Sequence, residues 1–116
     1  MIIKKYVCVL VLTVIAFFSL YAQQGGYRGP GLDVFTVEQA KKLRDDAPVK
    51  LQGKIERFIG DEKYIFTDAT GSITIEIDDK LWKDLIVDEN DLVEIIGELE
   101  KDFMRVEIDV SRIRKI

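Results

Sequence analysis

The chain has no histidine and a single cysteine, Cys8, which lies in its apolar opening. Without imidazoles or paired thiols, the usual ligand sets of zinc, copper and haem are missing. No intrachain disulfide can staple the fold, which must rest on its apolar core. Positive charge is also in deficit: 17 Lys and Arg stand against 21 Asp and Glu, a formal net charge of −4. An acidic chain is repelled by polyphosphate unless its basic groups gather on one face, and here they are scattered. Neither a cofactor nor a metal centre is expected, and 116 residues allow a single domain.

The opening differs from the rest. Lys4 and Lys5 precede an apolar run from Tyr6 to Leu20, followed by Tyr21-Ala22 and the polar Gln23-Gln24-Gly25-Gly26. A basic start, an apolar middle and a small residue at the join are the parts of a secretory signal peptide. Residues 1–22 are assigned to one, with Ala22 the last residue removed. The alternative is an uncleaved anchor, for which Tyr6 to Ala22 is short and carries Thr13 and Ser19. Cleavage leaves a chain with no cysteine, no stable membrane anchor and, because Lys4 and Lys5 depart, a net charge of −6. Residues 23–35 read as a flexible leader, with four glycines and Pro30 by Gly31.

Order is expected over residues 36–116. Thr36-Val37-Glu38-Gln39 fits a capping box, and Val37, Ala40 and Leu43 recur at helical spacing up to Asp45-Asp46. Ala47-Pro48 ends that helix, since a residue before proline leaves helical geometry. The period then changes from 3.6 to 2. Val49, Leu51, Gly53 and Ile55 form the inward face of a first strand; Lys63–Thr67, Ser72–Ile77, Leu92–Leu99 and Phe103–Val110 follow as four more. Gly53 and Gly97 fall at inward positions, where glycine marks a bend or a close backbone approach. Leu81, Trp82 and Leu85 suggest one helical turn covering a barrel end. Five short strands with a helical interruption after the third give an all-β fold with one short N-terminal helix: a five-stranded OB-fold Greek-key barrel. Alternation does not reveal strand order, so a five-stranded sandwich and an SH3-like barrel stay open.

Several segments together resemble a known family: Gly25-Gly26-Tyr27-Arg28-Gly29-Pro30, the stretch from Thr36 to Asp46, Val49 to Ile55, Tyr64-Ile65-Phe66-Thr67-Asp68-Ala69-Thr70-Gly71, and Val106 to Val110. In this order, behind an export signal, they are similar to the bacterial OB-fold (BOF) family of YgiW/YdeI-type stress-tolerance proteins, from Gly25 to Lys115. The resemblance implies a periplasmic, non-enzymatic protein of envelope stress tolerance that binds a small polar ligand, a glycan, or an outer-membrane or periplasmic protein. It offers no catalytic residues to carry over.

Carboxylate pairs at Asp45-Asp46, Asp78-Asp79 and Asp88-Glu89-Asn90-Asp91 fall at element ends, where such residues cap helices and form turns; the last lacks the glycine and distant glutamate of a calcium loop. OB barrels bind on the outer face of their second and third strands. Here that face would show Lys63, Ile65, Thr67, Thr74 and Glu76, with Arg57 nearby. Hydroxyl, amine and carboxylate groups suit a sugar or small polar ligand; a plain solvated face is the competing reading. The alternative function, a nucleic-acid-binding OB domain, calls for stacking aromatics and basic groups on that surface, which the net charge disfavours. Trp82 could stack on a ligand, but beside Leu81 and Leu85 it reads first as a plug.

Overall fold

A computed structural model describes residues 33–116; the assigned signal peptide and residues 23–32 of the leader lie outside the described residues. The chain runs β1 (Val34–Phe35), α1 (Val37–Lys41), β2 (Pro48–Gly60), β3 (Lys63–Asp68), β4 (Gly71–Glu76), α2 (Asp79–Trp82), β5 (Val93–Lys101) and β6 (Val106–Lys115). The sheet order is β1-β2-β3-β4-β6-β5, and β5 returns to pair with β2. β4 and β6 are parallel while β2–β3, β3–β4, β5–β6 and β2–β5 are antiparallel. That closure settles the strand order that alternation left open. β2 to β6 form a five-stranded OB barrel, with β1 as a short addition on the edge of β2.

The inward rows are those read from the sequence. Val49, Leu51 and Ile55 of β2 meet Phe66, Ile73, Ile75, Val93, Ile95, Leu99, Ile108 and Val110 in one buried core. Gly53 and Gly97 serve close approach. A Cβ on Gly97 would collide with the carbonyl oxygen of Asp109 and lie 3.0 Å from Val110 Cα, so backbone itself would have to move. A Cβ on Gly53 would meet the Thr67 carbonyl oxygen and sit 2.8 Å from Phe66 Cζ. Beside Gly97 the register slips, leaving Ser111 as the extra residue on β6, and its hydroxyl donates to the Ile96 carbonyl at 3.1 Å. Such a bulge adds the twist a small barrel needs to close.

The capping box at α1 is present: the Thr36 hydroxyl accepts the Gln39 amide, and the Gln39 side chain accepts the Thr36 amide at 3.0 Å. The β3–β4 turn completes the cap. Asp68 accepts from the amides of Val37 (2.8 Å), Thr70 (2.8 Å) and Gly71 (3.2 Å) and from the Thr70 hydroxyl (2.6 Å). Thr70 Oγ1 accepts the Glu38 amide in turn. The Asp-Ala-Thr-Gly turn therefore docks the helix onto the barrel.

Several boundaries differ from the sequence reading, the last strand among them, which runs on to Lys115. Val34–Phe35, assigned to the leader, pairs with Lys50 and Leu51; two residues are too few to show a period. The helix ends at Lys41, because the Lys42 amide turns back to Gln39 O at 3.1 Å. Leu92 precedes β5 and is exposed. Phe103 and Met104, expected in the last strand, instead form a hairpin tip, 97% and 81% exposed. There the Asp102 amide bonds Arg105 O at 3.0 Å and its carboxylate accepts the Met104 amide. Apolar alternation from Met104 onward runs through that turn without registering it.

Gly97→Ala is expected to lose about 3 kcal/mol of stability, read as a fall in the urea midpoint. The acid response should trace partly to Asp68. Burial alone would raise its pKa, but the Thr70 hydroxyl and the Val37, Thr70 and Gly71 amides outweigh it and hold the carboxyl below its ordinary value. Its contribution is full above the unfolded carboxylate pKa near 4 and is lost as pH falls through the lower folded value. Asp68→Asn should therefore cost about 1–3 kcal/mol at pH 7, with the two proteins' denaturation midpoints converging at strongly acid pH.

Candidate binding face and groove

The β3–β4 register brings the six residues singled out from the sequence onto one face. Lys63 lies opposite Glu76, Ile65 opposite Thr74, and Thr67 opposite Ser72. A bulge at Glu56 then sets Arg57 opposite Ile65. Alternate residues Phe66, Ile73 and Ile75 point to the core, so the remainder face outward. Thr67 belongs to the turn end of this face, donating to Gly71 O (3.2 Å) and accepting from the Ser72 hydroxyl (3.1 Å).

The face continues beyond β4. Parallel pairing sets Glu107 beside Thr74 and Asp109 beside Glu76, and the β5–β6 hairpin adds Glu100 and Glu98 across from them. One carboxylate oxygen each from Glu76, Glu100 and Glu107 lies within 4.8 Å of the other two. Glu107 is 7% exposed. Its Oε1 accepts from Lys63 Nζ at 3.1 Å, while Oε2 is buried with no hydrogen-bond partner among the described residues. Burial, with the charges of Asp109, Glu76 and Glu107, raises the pKa of Glu100 against the opposing pull of Arg105. Alternation along the last strand turns Glu107 and Asp109 outward, but it carries no sign that β4 neighbours β6.

At one end of the barrel a second feature opens. The bulge at Glu56 puts Phe58 opposite Tyr64. Their rings pack 5.2 Å apart at 52°, and Tyr64 meets Trp82 edge-on at 5.6 Å. Trp82 is held there by α2, whose Asp78 carboxylate accepts the Lys80 amide at 2.9 Å, while Glu62 of the β2–β3 turn accepts the Asp79 amide at 2.6 Å. The three aromatics, with Arg57, Glu56 and Asp88, line a groove of about 410 Å³. Trp82 packs against the core, as a plug does, and its remaining surface lines the groove. Phe58 remains 62% exposed.

The loop carboxylates serve the backbone. Asp45 accepts the Lys101 amide at 2.8 Å. Asp88 accepts from Asn90 at 2.8 Å, and Asp91 accepts from Asp88 at 2.9 Å. Among the described residues no helix is long and apolar enough to cross a membrane.

Residues 18–115 match the sequence profile of a family described as Bacterial OB fold (BOF) protein. The chain belongs to the BOF family. This BOF protein is 50% identical to Protein YgiW of Escherichia coli, over 97% of its own length and 98% of the relative's. It is 37% identical to Calcium-regulated OB-fold protein CarO of Pseudomonas aeruginosa, over 91% and 93%. The solved structure of the hypothetical protein ygiW from E. coli aligns with a TM-score of 0.73 at 48% identity, covering 78% of this chain and 99% of that one. The telomere capping protein Ten1 from S. pombe aligns at 0.60 with 17% identity, covering 71% and 78%, a likeness of fold alone.

Lys63 is the ammonium that compensates Glu107. Lys63→Met should cost about 1–3 kcal/mol by leaving a buried carboxylate unpaired, and adding Glu107→Gln should recover much of the loss. A double-mutant cycle read by thermal denaturation measures the coupling.

Proposed function

We propose that this BOF protein is an exported, non-catalytic binding module that acts in the periplasm in tolerance of envelope stress, holding a glycan or small polar ligand. The observation that carries the reading is the groove in which Phe58, Tyr64 and Trp82 stand beside Arg57, Glu56 and Asp88. A sugar ring has an apolar face of C–H groups and a rim of hydroxyls. Aromatic walls can cover the first, and a guanidinium with carboxylates can hydrogen-bond the second. The groove adjoins the outer face bearing Ile65 and Thr74 through Arg57.

Export rests on the basic and apolar opening, Lys4 to Ala22. Absence of catalysis agrees with the lack of histidine and with the Asp45 and Asp91 carboxylates, which accept from backbone amides. The nucleic-acid alternative draws on fold likeness only. A surface carrying Glu76, Glu98, Glu100, Glu107 and Asp109 repels phosphates.

Isothermal titration calorimetry of the purified protein with peptidoglycan fragments and lipopolysaccharide oligosaccharides tests this. Saturable binding that weakens at least tenfold in Trp82→Ala, with Phe58→Ala giving a smaller loss, is expected. No binding to any glycan, or salt-sensitive binding to single-stranded DNA instead, would overturn it.

A further inference from the structure

We propose that Glu76, Glu100 and Glu107 bind one divalent cation of the calcium type on the outer face of the barrel. Two oxygen donors about 2.4 Å from one calcium ion can be at most about 4.8 Å apart. One oxygen from each of the three carboxylates satisfies that limit toward the other two. The donors come from β4, β5 and β6, three strands fixed by ladder pairing, so the cluster is held by the barrel and not by a loop.

A cluster of acidic residues on a surface is by itself commonplace. The observation that distinguishes this one is Glu107. Its side chain is almost wholly buried, one oxygen is taken by Lys63, and the other has no partner. A buried carboxylate oxygen without a partner costs free energy, and a cation beside it supplies the missing interaction. The charge balance agrees: the three carboxylates, with Asp109 beside them, outnumber the Lys63 ammonium, and a divalent ion reduces that excess of negative charge. Arg105, the cation that acts on Glu100, is already paired with Asp102 at 3.9 Å.

The donor set defines the ion. All three ligands are hard oxygens with no nitrogen or sulfur among them, which favours calcium, magnesium or manganese over zinc and copper. Calcium accepts irregular geometry and water-completed shells, whereas magnesium demands near-octahedral geometry and dehydrates reluctantly. Three carboxylates on two hairpin strands and a parallel neighbour suit the former. With few protein ligands, the affinity falls in the range of about 10⁻⁵ to 10⁻³ M.

Isothermal titration of chelator-treated protein with CaCl₂ should show one site in that range, with a rise in Tm as calcium is added. Glu100→Gln and Glu107→Gln should each weaken binding at least tenfold. Among the described residues Glu100 makes no ion pair, so its variant separates the ligand role from folding. Trp82→Ala should bind calcium as the parent does, which makes this result independent of the glycan reading. The proposal fails if 10 mM calcium gives neither heat nor a Tm shift, or if binding survives Glu100→Gln and is lost in Asp88→Asn. Magnesium binding more tightly than calcium would overturn the assignment of the ion.

Discussion

Three residue pairs, Thr74 with Glu107, Ile75 with Ile108 and Glu76 with Asp109, join β4 to β6 in parallel. Inward, the pairing seats Ile75 against Ile108 at the centre of the core. Outward, it carries the β3–β4 face onto two further strands and makes that face acidic. A slip of one residue would turn Ile108 to solvent and send Glu107 into the core. The same register thus fixes the hydrophobic filling of the barrel and the grouping of Glu76, Glu100 and Glu107.

Lys63 balances this arrangement. It is the ammonium among the surrounding carboxylates that reaches the buried Glu107, spanning from β3 to β6 over β4. A similar arrangement holds where β2 meets β5. Glu94 is buried between Gln52, which donates to it at 2.8 Å, and Arg114, at 3.0 Å. The Gln52 bond and the Arg114 charge keep its pKa low despite burial. One buried glutamate is fully partnered and stabilises a strand junction, while the other keeps a free oxygen. That difference separates a structural carboxylate from a candidate ligand.

Much of the barrel was legible in the sequence because burial on one face writes itself as a period of two. Val49 to Ile55, Ser72 to Glu76 and Val106 to Val110 are strands for that reason. Gly53 and Gly97 were readable because they interrupt an apolar row at positions where a side chain was due. The capping box at Thr36 needs only local contacts and was visible from four residues. Information that depends on neighbours distant in sequence was not visible. The β4–β6 adjacency, the pairing of Val34–Phe35, and the bulge that turns Phe58 toward Tyr64 leave no local pattern. Six face residues could therefore be named from alternation, whereas the acidic cluster and the aromatic groove emerged only from the assembled strands.

The two-residue strand β1 has a consequence out of proportion to its length. β3 covers β2 only from Lys54 onward, and Val34–Phe35 lies against Lys50 and Leu51 on the stretch that β3 leaves bare. An unpaired edge there would be a template for strands from other molecules. By filling it from its own chain, the protein guards itself against edge-to-edge aggregation, a hazard for any small β-protein that has no disulfide to restrain it.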